Sequence, residues 1–357
     1  MKNEAFLDHH EVSLRKRWEE HRAAMPKARI FDIAAAMKVS ELELVAAHCG
    51  CESVRLRPEF GEILKSVARL GTVMALTRNQ FAVIEKTGVY DKVEIMGKMG
   101  LVLNSGIDLR LFFAKWCYAY GVTSRKGDSL MRSLQFFDAS GTAIHKVFLR
   151  DNSKDLEYRE LIKDFSDSAY PSPHAIYLSP RSVELRVKQA PSSLDRERLH
   201  ADWRALKDTH DFIKLLKGHK VEREQALVHV ADPDLARPVA PSALRQCLEL
   251  ARDQRCSIMV FVGNDGAIEI HTGLIQNVKV LGPWLNILDD DFNLHLREDL
   301  LARAWVVRKP TVDGIVSSLE LFAEDGFLIG QVFGERKPGK AELGEWRAIL
   351  ETLPQSS

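Results

Sequence analysis

Residues 72–88, TVMALTRNQFAVIEKTG, and residues 257–273, SIMVFVGNDGAIEIHTG, write one pattern twice. Asn79 falls on Asn264, and Thr87-Gly88 falls on Thr272-Gly273, at a constant offset of 185 residues. Outward from this stretch the offset holds without a gap from about residue 64 to residue 148. Val93, Gly97 and Leu103 meet Val278, Gly282 and Leu288, and Leu109 and Leu111 meet Leu294 and Leu296. Ser133-Leu134, Phe137, Gly141, Ile144 and Val147-Phe148 meet Ser318-Leu319, Phe322, Gly326, Ile329 and Val332-Phe333. Trp18 and Trp203 keep the same offset, and a small indel then separates the helical starts. One offset held across successive elements, with turn glycines in register, marks a tandem duplication.

Each copy begins with helical sequence, WEEHRAAMPKARIFDIAAAMKVSELELVAAH (18–48) and LHADWRALKDTHDFIKLLKGHKVEREQALVHV (199–230). Short strands punctuated by Gly, Asn and Asp follow, among them FAVIEKTG, YDKVEIMG and SLQFFDASGTAIHKVFL. The last predicts a hairpin around Asp138-Ala139-Ser140-Gly141, and ELFAEDGFLIGQVF repeats it at Asp325-Gly326. Strands joined by short turns pair antiparallel. The expected fold class is therefore α+β, a tandem duplication of a unit of helices plus a large antiparallel sheet. The expected domains are an N-terminal repeat, 1–150, and a C-terminal repeat, 195–357, which carries the histidine discussed below. The segment 151–194, rich in Ser, Pro and charge, connects them, with a short helix expected near 156–165.

A chain of 357 residues has room for two domains. Its net charge is zero, so no global field draws in nucleic acid or an anionic membrane. The N-terminus is charged and does not read as a signal peptide, and no stretch approaches the ~18 apolar residues of a spanning helix. Five scattered cysteines, Cys49, Cys51, Cys117, Cys247 and Cys256, suit a reducing compartment, so a cytoplasmic location is expected.

Leu199, Trp203, Leu206, His210 and Ile213 recur at helical steps and predict one apolar stripe, which places His210 on a buried face. Ser192-x-x-Asp195 resembles a capping box just before it. Two readings of His210 stand: a satisfied core histidine, or a neutral imidazole with one nitrogen free for iron. The strand 107–112 alternates, with Ile107, Leu109 and Leu111 on one face and Asp108, Arg110 and Phe112 on the other. Arg110 could be half-solvated beside Asp108, or line a pocket and donate to an anion. The repeat puts His295 at the place of Arg110, so the two copies differ in polar chemistry on one equivalent face. Cys49-x-Cys51 beside His48 lacks a second pair to complete four ligands, and the pairs Arg125-Lys126 and Arg308-Lys309 read as turn charges. No phosphate-binding glycine loop, HExxH or G-x-S-x-G elbow is present.

With ALTRNQFAV, GLVLNSGIDLRLF, DWRALKDTHDF and GQVFGERKPG, nearly the whole chain resembles the bacterial cytoplasmic haem-utilisation proteins of the HemS/HmuS/ChuS/PhuS group, also called haemin-degrading factors. The resemblance implies two similar α+β halves with large antiparallel sheets and a haem cleft between the halves. It implies His210, of the D-T-H segment, as the iron ligand, and Arg110, of I-D-L-R-x-F, as the distal residue, catalytic if the protein is an enzyme. Phe112 is then close to the haem, and Arg223, Lys309, Gln331, Phe333 and Arg336 complete the haem-binding set, the basic and polar ones meeting the propionates. Two positions depart from the family pattern: Phe333 stands where tyrosine is expected, and Ile84 where histidine is expected in V-H-E-K.

The implied ligand is haem b (iron protoporphyrin IX), and the expected function is haem uptake and iron acquisition by delivery to a haem oxygenase. The expected partners are that oxygenase and the cytoplasmic side of a haem import system. The alternatives are a haem-degrading enzyme that opens the porphyrin ring itself, and a non-haem interaction module.

Overall fold

The computed structural model describes residues 9–26, 28–126, 129–150, 154–167, 176–179, 194–230, 232–337 and 339–356. The first repeat opens with α1 (His9–Ala24), α2 (Ile30–Met37) and α3 (Glu41–Ala47). Ser40 caps α3 by accepting from Glu43 N (3.1 Å), while the Glu43 carboxylate accepts from Ser40 N (2.7 Å), a reciprocal capping box. β1 (Ser53–Leu56) and α4 (Phe60–Ser66) lead into the strands β2 (Val73–Arg78), β3 (Ala82–Gly88), β4 (Val93–Met96), β5 (Met99–Leu103) and β6 (Asp108–Phe112). β7 (Tyr118–Lys126), β8 (Ser129–Phe137) and β9 (Ala143–Leu149) complete the copy. The helix expected in the connecting segment is α5 (Asp155–Phe165), which buries Tyr158, Leu161 and Phe165 at steps of three and four.

The second repeat follows the same plan. Its helices are α6 (Arg196–Arg204), α7 (Asp211–His219), α8 (Arg223–Val230) and, after β10 (Ala236–Val239), α9 (Ala243–Asp253). Then come β11 (Ile258–Gly263), β12 (Ala267–Gly273), β13 (Val278–Leu281), β14 (Trp284–Leu288) and β15 (Phe292–Arg297). β16 (Arg303–Thr311), β17 (Gly314–Phe322), β18 (Leu328–Gly334) and α10 (Gly344–Glu351) close the chain. Asp195 itself caps α6, accepting from Arg198 N at 2.9 Å; Ser192, expected to open that box, lies outside the described residues.

Among the described residues the strands form two nine-stranded sheets, with antiparallel pairing along the ladders β1-β7-β8-β9-β2, β6-β5-β4, β10-β16-β17-β18-β11 and β15-β14-β13. The duplication extends to irregularities: β8–β9 shifts register between Phe136 and Phe137, and β17–β18 between their repeat mates Leu321 and Phe322. Among the described residues no helix is long and apolar enough to cross a membrane.

Two compact units result, and each takes a short turn from the opposite repeat. Unit 1 comprises Met1–Thr77, Lys86–Ser182 and Asn264–Ile268; unit 2 comprises Arg78–Glu85, Val183–Gly263 and Glu269–Ser357. Unit 1 contains the ladder β1-β7-β8-β9-β2 and the ladder β6-β5-β4, which the 264–268 turn joins where Phe112 N donates to the Gly266 carbonyl (2.9 Å). Unit 2 contains β10-β16-β17-β18-β11 and β15-β14-β13, joined by the 78–85 turn where Arg297 N donates to the Phe81 carbonyl (2.8 Å). Asn79 holds its turn inside unit 2: Oδ1 accepts from Phe81 N and Ala82 N, and Nδ2 donates to the carbonyls of Gly263 (3.0 Å) and Ile329 (2.9 Å). Asn264 does the same inside unit 1, accepting from Gly266 N and Ala267 N and donating to the Ile144 carbonyl (2.9 Å).

Inside unit 1, His145 of β9 is 1 % exposed, with Thr77 Oγ1 2.9 Å from Nδ1 and the Tyr90 hydroxyl 2.8 Å from Nε2. Burial pushes its pKa down from 6.5 to about 3, so the ring is neutral. The unfolded chain takes up this proton below pH 6.5 and the folded one does not, so stability falls as pH falls through that window. Between pH 7 and pH 5 the wild-type protein should lose ~2 kcal/mol more than His145→Gln in urea unfolding. Equal pH slopes for the two proteins would refute the assignment.

Candidate ligand-binding site

β17 is buried on both faces from Val316 to Phe322, and Ser318 and Glu320, two residues apart, share one face. Glu320 has no exposed surface, and donors from three other elements converge on its carboxylate. Arg223 of α8 donates at 3.0 and 3.1 Å, Lys309 of β16 at 2.7 Å, and Gln331, its cross-strand partner on β18, at 2.8 Å. Burial alone would raise the Glu320 pKa, but the charges of Arg223 and Lys309 and their hydrogen bonds outweigh it and bring it down to about 2. Burial lowers Lys309 from the usual lysine value; Glu320 pulls the other way and Arg223 reinforces the lowering. Two cations around one carboxylate leave the cluster with a positive excess. The Phe212 ring of α7 lies against it, 5.1 Å from Arg223 Cζ and 4.9 Å from Lys309 Nζ. Phe333, on β18, is 5.9 Å from Lys309 Nζ and packs edge-on to Phe261 at 5.1 Å.

The structure corrects the placement of His210. The continuous helix expected from Leu199 to Ile213 breaks: α6 ends at Arg204, α7 begins at Asp211, and His210 is the N-cap residue of α7. Its side chain is 89 % exposed rather than buried. Leu199 and Trp203 enter the core from α6 and Phe212 and Leu215 from α7, while Ile213 remains 51 % exposed. The break falls at Lys207-Asp208-Thr209, where Asp208 bonds locally instead of continuing the helix. Its carboxylate accepts from His210 N (2.8 Å) and sits 2.6 Å from His210 Nδ1. These two bonds hold the Asp208 carboxyl below the usual carboxylate range. His210 Nε2 has no hydrogen-bond partner among the described residues. An imidazole whose Nδ1–H is held by a carboxylate presents Nε2 as a lone-pair donor, the arrangement of a metal-ligating histidine. Arg336 adds a cation in unit 2, 3.7 Å from Asp313 and near enough to Asp208 to favour its ionised form.

In unit 1, Arg110 Nη1 donates to Asp108 and, at 3.3 Å, to the Leu109 carbonyl. Leu109 and Leu111 are fully buried, while Asp108, Arg110 and Phe112 are half-buried, as the alternation predicts. Burial raises the Asp108 pKa despite the pull of Arg110. In unit 2, His295 at the equivalent position bonds Asn286 Oδ1 at 2.6 Å. Ile84 is fully buried in an apolar cluster. His48 Nδ1 bonds the Leu44 carbonyl at 2.8 Å, and Arg15 Nη1 lies 3.7 Å from Cys51 Sγ.

The sequence reading omitted Glu320, Asp208 and Phe212. A lone Glu in the apolar run SSLELF and an Asp two residues before His210 were the available signals.

The Haemin-degrading HemS.ChuX domain model matches residues 38–165 and again residues 220–353. The chain belongs to this family. It is 37 % identical to the hemin transport protein HmuS of Yersinia pestis, over 96 % of this chain and 97 % of the relative. The crystal structure of holo-PhuS, a heme-binding protein from Pseudomonas aeruginosa, superposes with a TM-score of 0.92 at 40 % identity, covering 98 % of this chain and all of PhuS. The heme degrading enzyme ChuS of Escherichia coli O157:H7 gives 0.88 at 36 % identity, over 96 % of this chain and 99 % of ChuS.

Removing the Glu320 charge should leave the buried Lys309 and the half-buried Arg223 without a counter-ion. Glu320→Gln should therefore lose ~3–5 kcal/mol in urea unfolding of the HemS-family chain. Adding Lys309→Met to Glu320→Gln should recover part of that loss; a single variant as stable as wild type would show the cluster to be electrostatically idle.

Proposed function

We propose that the protein binds haem b as cargo through His210 in the cytoplasm and delivers it to a haem oxygenase for iron acquisition. The observation that carries this proposal is the exposed His210, with Nδ1 fixed by Asp208 and Nε2 free. An imported haem can reach such a ligand without opening the core. Exposed Ile213, one helical turn beyond His210, supplies apolar surface for the macrocycle. Arg223, Lys309 and Gln331 form a group of positive excess, and Arg336 a more loosely held guanidinium, for the propionates. Phe333 keeps the apolar contact expected of tyrosine without its hydroxyl. The names of the transport and heme-binding relatives support the reading. Arg110 and Phe112 enter it through the family resemblance alone, as distal contacts.

The description of ChuS as a heme degrading enzyme supports a second reading, ring opening by the protein itself. Incubating the haem complex with NADPH, a reductase and catalase separates the two. Delivery predicts that haem stays intact until an oxygenase acceptor is added. A bilin or other ring-opened product formed without that acceptor, and surviving catalase, favours degradation. Arg110→Ala should then slow or redirect turnover; under delivery it should alter transfer rates instead.

His210→Ala should change the Soret spectrum and weaken haem binding while leaving apo stability within about 0.5 kcal/mol, because the side chain is exposed. Asp208→Asn should keep the stoichiometry of one haem per chain but weaken affinity by about 10–100-fold, as loss of a ligand-orienting carboxylate does. Wild-type spectra and affinity in both variants would assign the iron ligand elsewhere. Arg336→Ala should weaken binding of haem but not of its dimethyl ester; equal losses for both would remove Arg336 from propionate recognition.

A further inference from the structure

Unit 2 contains a cavity of about 450 Å³ between the end of α9 and residues 335–337 and 340–345. Arg255, Arg336, Lys337 and Lys340 line it against two carboxylates, Glu335 and Glu345. Glu335 is engaged by the Ser257 hydroxyl at 2.6 Å. Among the described residues Arg255, Lys337 and Lys340 have no carboxylate partner, and Arg336 has only the 3.7 Å contact with Asp313. Four cations against two carboxylates leave the concavity a positive excess, which favours an anion there. α10 begins at the same cavity: its N-cap, Leu343, makes no side-chain capping bond, so first-turn N–H groups are left for an external acceptor.

We propose that this cavity binds the phosphate chain of a small phosphorylated molecule. Two guanidinium forks match phosphate oxygens in pairs, and two ammonium groups add point charge. Free di- or triphosphate and the phosphates of a nucleotide share this chemistry. The concavity favours either over an extended polymer, whose backbone needs a continuous basic groove. His210 does not line this cavity; Arg336 is the one residue that lines it and also serves the proposed haem contact.

The test is isothermal titration of the haem-free full chain at low salt with inorganic pyrophosphate and, in parallel, with ADP. Saturable one-site binding of pyrophosphate is expected, weakened at least tenfold in Arg255→Ala/Lys340→Ala, a variant whose haem titration stays wild-type. Tighter binding of ADP than of pyrophosphate would assign a nucleotide, and equal binding the phosphate chain alone; both support the site. No saturable pyrophosphate binding, or equal affinity in wild type and the double variant, overturns it. So does a duplex oligonucleotide that binds more tightly than either and is lost in the same variant, since that marks a nucleic-acid face. Loss of haem binding in His210→Ala with pyrophosphate binding kept would show the two sites failing independently.

Discussion

The turns at Asn79 and Asn264 are closed by side chains, because the backbone there leaves more polar groups than it can pair. Each amide oxygen takes two main-chain N–H groups, and each amide nitrogen reaches a carbonyl of a distant strand. One such bond is worth only ~1 kcal/mol net, but a buried group left unpaired costs more, so substitution would release several penalties together. The acceptors, Ile329 for Asn79 and Ile144 for Asn264, are themselves repeat mates. Each repeat therefore lends a turn to the unit built mainly from the other. The duplication is structural as well as historical: each unit is completed by residues of the opposite copy.

On this common scaffold the copies have diverged in charge. Lys38 and Lys220 are equivalent left-handed helix caps, with φ 57° and 54°, which sets Glu41 opposite Arg223. In unit 1, Glu41 pairs with Lys146 at 2.7 Å, both nearly buried, and Gln135 occupies the place that Glu320 holds in unit 2. In unit 2 the helix residue is the cation, the strand residue the anion, Gln331 replaces Lys146, and Lys309 adds a second cation. The first arrangement is neutral; the second has a positive excess against the Phe212 ring. Keeping a charged cluster in a fully buried strand is harder to justify by stability than an apolar replacement would be. Under the proposed function, its asymmetry between otherwise matching copies suits an anionic propionate met by one copy only.

The repeat, both hairpins, the helix of the connecting segment and the alternation of 107–112 were legible because each is a local period or a local turn. The break before His210 was not, although its signal was present. Spacings of four, three, four and three fit one helix, and they fit equally two helices meeting at Asp208-Thr209, residue types that favour caps over helix interiors. Periodicity grouped His210 with Ile213 on one face but could not tell whether that face met core or solvent. Glu320 was harder still: its partners Arg223 and Lys309 lie 97 and 11 residues away, and no local pattern joins them. The exchange of turns was hidden for the same reason, since a strand period fixes which side chains share a face but not which strand pairs beside it.

Exposure of His210 bears on how a ligand site of this kind works. A buried imidazole would hold its partner tightly, but uptake and release would each require the core to open. An exposed one exchanges readily yet loses definition, because a solvated side chain samples several rotamers. Asp208 resolves the conflict locally. It binds the backbone N–H and the ring of the same residue, so rotating the imidazole away breaks one of two bonds while the other still holds the turn. A surface ion pair alone would give little; the backbone bond adds to it by fixing the Asp208 carboxylate where the ring meets it. An accessible but pre-oriented Nε2 suits a protein that receives a ligand and passes it on, and under the proposed function it makes Asp208, not only His210, decisive for how long haem stays.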